Sequence, residues 1–254
     1  MVVESRMGLI ELHQLGLRLG QRLDRKGKVL TPGTPVFRDV SWDILEGDRL
    51  GLVGRAGCGK TSLLRLLNRL IDPTEGKLLW QGTHYKEVAV SHLRQNIIYV
   101  AQEPKLLGMT VEAAIAYPLQ LRCMEPAQLK TRVDYWCDRF ELSQELLQKS
   151  ETELSLGQKQ WVSLARALAI EPTVLLLDEP TASIDPRQCD RLRAILDQLP
   201  KTTLIIASHR TDWLQILCDR ALVIHQQRAT ESADWPAIQQ ELQSSKPSPN
   251  DEWD

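Results

Sequence analysis

The 254-residue sequence has no long apolar run, no excess charge of one sign, no paired-cysteine spacing and no internal repeat. Its apolar runs, such as Val174–Leu177, fall far short of the roughly 20 residues that cross a bilayer. Any membrane role must therefore be borrowed from a partner. Lys and Arg total 31 against 33 Asp and Glu, a net charge of −2, so the basic footprint of a nucleic-acid binder is missing and no nucleic-acid partner is expected. The five cysteines (58, 123, 137, 189 and 218) lack CxxC spacing, which argues against a metal site and for a reducing compartment. Met1–Arg6 shows no secretory h-region. The expectation is a cytoplasmic chain long enough for one large α/β domain with a buried core.

What is present centres on Gly54-Arg55-Ala56-Gly57-Cys58-Gly59-Lys60-Thr61-Ser62. Apolar Leu50–Val53 precedes it and leucine-rich Leu63–Leu70 follows, which reads as strand, glycine-rich turn and amphipathic helix. The pattern is GxxxxGK[ST], a phosphate-binding loop. Its glycines let backbone N–H groups close around an anion, and the helix start adds free N–H groups and a positive dipole end. Lys60 is placed to reach the β- and γ-phosphates, and the Thr61 hydroxyl to ligate Mg²⁺. Cys58 reads as a small turn residue.

Before this loop, Leu9–Leu12, Leu15–Leu19, Val36–Phe37 and Val40–Ile44 read as short strands, with turn-rich Asp24–Lys28 and Thr31–Pro35 as a hairpin tip or loop. Further strands are predicted at Lys77–Trp80 and Asn96–Val100. From Met109 to about Lys149 the spacing of Val111, Ala114, Ile115, Val133, Trp136 and Phe140 is helical, with Pro118 and Pro126 breaking the run. Ser155–Ala169 is a predicted helix with Trp161, Leu164, Ala165 and Leu168 on one face. Thr173–Leu177 and Thr203–Ala207 read as strands buried on both sides, with a helix over Arg187–Leu199 between them and Ala221–Ile224 closing the sheet. Residues 243–254 form a polar tail expected to be loosely ordered.

At the end of the apolar Leu175–Leu177 stand Asp178 and Glu179, where open α/β sheets place their ligands. Asp178 suits Mg²⁺, largely through its waters. Glu179 suits a general base polarising the attacking water.

Leu154-Ser155-Leu156-Gly157-Gln158 resembles the signature of the ABC (ATP-binding cassette) ATPases. In the same order, Gln102 resembles the family's Q-loop glutamine, Ser183-Ile184-Asp185 its D-loop, and Ser208-His209 its switch histidine. The resemblance runs from about Leu9 to His225. It implies a P-loop NTPase core of mostly parallel sheet, with an N-terminal antiparallel β subdomain and a helical subdomain inserted at about 105–153, within a domain spanning 8–242. It also implies ATP and Mg²⁺ as cofactors and two cassettes closing head to tail around two ATPs. Each site would then combine one chain's phosphate loop with the other's Ser155, Gly157 and Gln158. His209 would hold the γ-phosphate, Gln102 would sense Mg²⁺ and water, and Asp185 would bridge the chains.

Two positions depart from the family pattern. Leu156 stands where glycine is commoner. Leu19 occupies the place of an adenine-stacking aromatic, and loss of π-stacking forfeits about 1–3 kcal/mol in base-stacking sites. A single cassette with a short insert resembles a transporter subunit, peripheral on the inner face of the membrane through integral permease subunits. Leu106, Leu107, Met109 and Val111 are candidates for the permease groove. The cargo reading leans to metal-export-type permeases, with phosphate or amino-acid import beside it. The competing class is a soluble non-transport ABC ATPase that regulates or remodels another complex.

Overall fold

The computed structural model describes residues 8–23 and 29–244. The chain begins with β1 (Ile10–Leu19), β2 (Arg22–Leu23), β3 (Val29–Thr31) and β4 (Thr34–Ile44), then β5 (Arg49–Gly54) and α1 (Lys60–Leu67). There follow β6 (Glu75–Trp80), β7 (Thr83–His84), α2 (Val90–Asn96) and β8 (Ile97–Val100). Helices α3 (Val111–Leu121), α4 (Pro126–Arg139) and α5 (Gln144–Leu147) come next, before α6 (Leu156–Ala169) and β9 (Val174–Asp178). The remainder is α7 (Pro186–Asp197), β10 (Thr203–Ala207), α8 (Thr211–Leu217), β11 (Arg220–His225), β12 (Arg228–Ser232) and α9 (Trp235–Ser244).

The main sheet runs β12-β11-β5-β10-β9-β8, parallel throughout except for β12. Period-two alternation along its strands divides the interior into two layers. Val53, Leu175, Leu177, Leu204, Ile206, Ala221 and Val223 face one core with α3, α4, α6 and α8. Leu52, Val174, Leu176, Ile205, Ala207, Leu222 and Ile224 face the other, shared with α1 and the antiparallel sheet β4-β1-β6-β7. The α/β class with an N-terminal antiparallel sheet and helices inserted between two parallel strands is the architecture expected from the sequence.

Several elements differ from the sequence reading. The first four predicted strands are two long ones, β1 and β4, whose register shifts near Gln14 (φ 48°) and Asp39 (φ 55°). Such bulges interrupt the alternation and so look like strand ends in sequence. Pro118 does not break its helix but lies inside α3. An interior proline costs about 3 kcal/mol. Val111, Ile115 and Leu119, each fully buried, offset this at about 1.5–3 kcal/mol apiece. Pro126, by contrast, sits at the start of α4, where proline is tolerated. β11 does not close the sheet, because polar β12 pairs antiparallel beyond it. Its composition is that of an exposed edge strand, which carries no apolar signal. The loop Asp24–Lys28 and residues 245–254 of the polar tail lie outside the described residues; α9, which the sequence did not suggest, runs to Ser244.

Phe140, just past α4, is 1% exposed, and its ring packs against Trp161 at a centroid distance of 4.6 Å and Trp136 at 6.2 Å. Truncating it leaves a cavity where α4 meets α6. Phe140→Ala is expected to destabilise the fold by about 3–5 kcal/mol, measured as a lowered urea midpoint at unchanged m-value; a loss below about 1 kcal/mol would show that the aromatic cluster collapses around the gap.

Candidate functional site

Parallel pairing sets three strand ends side by side. Ala207 of β10 is in register with Leu52 of β5 on one side and Asp178 of β9 on the other. The chain leaves β5 into Gly54–Gly59, β9 into Glu179 and β10 into Ser208-His209, so all three loops open on one edge.

Gly59 caps α1 with φ 108°, and a Cβ there would meet Val36 Cγ1 at 2.6 Å. Glycine is required on both counts. Lys60 is buried, its Nζ donating to the carbonyl oxygens of Gly54 (2.7 Å) and Arg55 (3.1 Å). The ammonium thus braces the loop it belongs to and keeps a third proton for a ligand. Cys58 donates its N–H to Arg55 O (3.2 Å). Burial pushes its thiol pKa up and outweighs the charge of Lys60, which keeps it neutral, in keeping with its reading as a small turn residue.

Asp178 is 1% exposed and accepts a hydrogen bond from the Tyr99 hydroxyl at 2.9 Å. Burial, with the Asp178 charge adding to it, pushes the Tyr99 phenol up to about 12. Glu179 sits in the left-handed region at φ 47°, held by its N–H to Ala207 O (2.8 Å). Its Oε2 accepts from the Ser208 hydroxyl (3.3 Å) and the His209 N–H (3.2 Å). Its Oε1 is buried and has no hydrogen-bond partner; His209 Nε2 lies 3.1 Å away without the alignment of one. One carboxylate oxygen is therefore anchored and the other is not.

A cavity of about 330 Å³ gathers these groups, lined by Ala56, Gly57, Gly59, Lys60, Thr61, Ser62, Gln102, Asp178, Glu179 and His209. Leu19 and Val36 also line it. A second cavity of about 560 Å³ shares Thr61, Gln102 and Asp178 and continues past Arg65, Tyr99, Lys105, Pro118 and Arg166.

Other candidate residues lie elsewhere. Ser155 is the exposed N-cap of α6, closed with Gln158 into a reciprocal cap (Gln158 N–H to Ser155 Oγ 3.2 Å, Ser155 N–H to Gln158 Oε1 2.9 Å). Gly157 abuts the Ser183 carbonyl so closely that a Cβ would collide with it. Asp185 caps α7, accepting from the Gln188 N–H at 2.8 Å. None of these four lines the cavity of its own chain. Of the expected groove residues, Leu106 and Val111 are fully buried and Met109 packs on the core, leaving Leu107, at 63% exposed, on the surface. Their apolar runs read alike in sequence, and only packing separates them. Val36 and Tyr99 were not expected at the site; each is one apolar or aromatic position on a strand, with no local signal of a ligand.

A cleft that offers loop N–H groups, a buried lysine and two carboxylates at the edge of a parallel sheet defines a P-loop nucleotide hydrolase. The family model for ABC transporters matches residues 37–182. A protein of Nostoc sp. named for an ABC transporter ATP-binding role is 39% identical over 201 residues, covering 76% of this chain and 73% of its own. The methionine import ATP-binding protein of Corynebacterium efficiens is 34% identical over 232 residues, 86% of this chain but 64% of its own length. A dimeric ATP-binding cassette solved in a post-hydrolysis state with ADP and Pi superposes with a TM-score of 0.75, covering 88% of this chain and 97% of its own at 21% identity, a likeness of fold. The chain belongs to the ABC transporter family, as an ATP-binding and ATP-hydrolysing cassette.

Tyr99 holds its proton in the folded chain above the usual phenol value of about 10. Its contribution to stability is thus complete below about pH 10 and is lost as pH rises through about 12. Tyr99→Phe should therefore lose less of its urea midpoint than the parent over that window. Equal losses would show that the phenol is not held.

Proposed function

We propose that the cassette hydrolyses ATP-Mg at two composite sites formed head to tail with a second copy, and that closure drives a separate membrane permease. The observation that carries this is the unpartnered, buried Oε1 of Glu179 beside an anion-ready loop. In this reading Oε1 accepts a proton from the attacking water while Oε2 stays fixed by Ser208 and His209. The water oxygen bonds to the γ-phosphorus as the bond to the β–γ bridging oxygen breaks, releasing ADP and phosphate. Lys60 and the loop N–H groups carry the charge that develops on the phosphate oxygens. His209, whose Nε2 is 3.1 Å from Glu179 Oε1, would meet the γ-phosphate in this reading.

The residues suit Mg²⁺. No cluster of three or more His, Cys, Asp or Glu able to hold a metal exists among the described residues. Mg²⁺ needs no such cage, since it retains waters and binds phosphate oxygens beside one or two protein oxygens. The Thr61 hydroxyl, the buried Asp178 carboxylate and the Gln102 amide oxygen would hold it, and it would neutralise charge on the β- and γ-phosphates.

Ser155, Gly157, Gln158 and Asp185 do not line their own cavity, which supports their use by a partner copy. The cavity running from Gln102 to Pro118 and Arg166 supports docking of a permease segment there. No helix among the described residues is long and apolar enough to cross a membrane, and this reading gives the crossing to the permease. Relatives named for methionine import favour amino-acid import over the metal-export cargo.

Lys60→Ala is expected to abolish ATP binding by equilibrium titration; retained affinity would refute the role of the loop. Glu179→Gln should bind ATP, turn over at least about a hundredfold more slowly, and dimerise with ATP. Turnover at the parent rate would remove Glu179 as the base. The same variant, tagged and recovered from solubilised membranes with ATP and Mg²⁺, should bring down a polytopic membrane protein. Recovery from the soluble fraction alone would move the assignment to a non-transport ABC ATPase.

A further inference from the structure

Two ties converge on the carboxyl end of α4, and neither belongs to the nucleotide cavity. A helix end leaves its last carbonyls without intrahelical donors. Here Arg191 of α7 adds donors: its Nε donates to Arg139 O at 2.7 Å, its second terminal nitrogen lies 3.5 Å from Asp138 O, which also accepts the Glu141 N–H at 3.0 Å, and its first pairs with Glu141. From α6, the Trp161 indole N–H donates to Phe140 O at 2.8 Å. Both donors stand six positions after an N-cap: Trp161 after Ser155, and Arg191 after Asp185. The caps do not line their own cavity, and the two helix starts already touch where Gly157 meets the Ser183 carbonyl. The Glu141 pair is exposed and worth little by itself. Charge-assisted bonds to helix-terminal carbonyls are stronger, about 1.5–3 kcal/mol each.

We infer that Arg191 is a positioning residue for ATP-driven dimerisation: by clamping α7 to the end of α4, where Trp161 clamps α6, it sets Ser155 and Asp185 as one rigid pair presented to the second copy. The inference rests on the head-to-tail reading. Six helical residues span about 9 Å, so a tilt of roughly 6° at the clamp displaces the cap by about 1 Å. A displacement near 1 Å at a composite site costs about a hundredfold in function. Arg191 does not line the nucleotide cavity, so ATP binding by the separate chain should be unchanged.

The test uses the Glu179→Gln chain with and without Arg191→Met, which keeps the aliphatic stem, and with Arg191→Lys. ATP affinity of dilute monomer is measured by fluorescent-nucleotide titration, and dimerisation at saturating ATP by sedimentation. The expected result is a dimer dissociation constant raised about tenfold or more by Arg191→Met, partly restored by Arg191→Lys, with monomer ATP affinity within about twofold of the parent. An unchanged dimer constant overturns the inference, as does a parallel loss of monomer ATP affinity, which would mark Arg191 as general structural support. If the Glu179→Gln parent itself fails to dimerise with ATP, the head-to-tail reading has failed and the inference with it. Trp161→Phe in the same background should weaken dimerisation in the same direction; no effect would likewise overturn the shared clamp.

Discussion

The parallel register of β5, β10 and β9 is the constraint on which the site depends. Because Ala207 pairs across to both Leu52 and Asp178, the Gly54–Gly59 loop, the two carboxylates and His209 emerge at one level. A slip of one residue in either pairing would turn each inward side chain to the opposite layer. It would also move Glu179 away from Ser208 and His209. The two apolar layers that alternate along these strands therefore do more than stabilise the sheet. They hold the reacting groups in register.

Against that rigid edge, the local backbone is under tension where chemistry is expected. Glu179 is held with φ 47°, a conformation that costs a non-glycine residue about 1–3 kcal/mol. Its N–H to Ala207 O and the two donors on Oε2 offset that cost, and they leave Oε1 buried with no hydrogen bond, His209 Nε2 being 3.1 Å away. An unpartnered carboxylate oxygen out of water is costly unless a ligand completes it. Lys60 shows the complementary economy. Its ammonium is occupied with loop carbonyls, so the loop is shaped before an anion arrives.

The core and the motifs were legible because they are local signals: glycine and lysine spacing at 54–62, apolar runs ending in Asp178-Glu179, and the Leu-Ser-Leu-Gly-Gln stretch at 154–158. What was not legible depended on who packs against whom. Gln14 and Asp39 each split one strand into two apparent ones through a single left-handed residue. Pro118 carries the same letter as Pro126, yet the buried stripe of α3 overrides it. Leu106 and Val111 read as surface candidates beside Leu107, but only Leu107 escapes the core. Val36 and Tyr99 gave no signal, since their relation to the site is made by strand placement alone.

The adenine end shows the same interplay from the other direction. Leu19 lacks the π-face of an aromatic, but it is not alone, because Val36 lines the cavity beside it and is pinned by its close approach to Gly59. Two aliphatic side chains can cover a base by area while offering no preference of stacking geometry. In the proposed reading, phosphate recognition is built instead from the loop N–H groups and the Lys60 ammonium. The affinity of such a site is then weighted towards the triphosphate. In the head-to-tail arrangement proposed above, a cassette whose selectivity lies in the γ-phosphate would gain most from the second copy, since Ser155 and Gly157 do not line the chain's own cavity and would bring their donors from outside it. A composite site of that kind would make closure depend on the bond that hydrolysis removes.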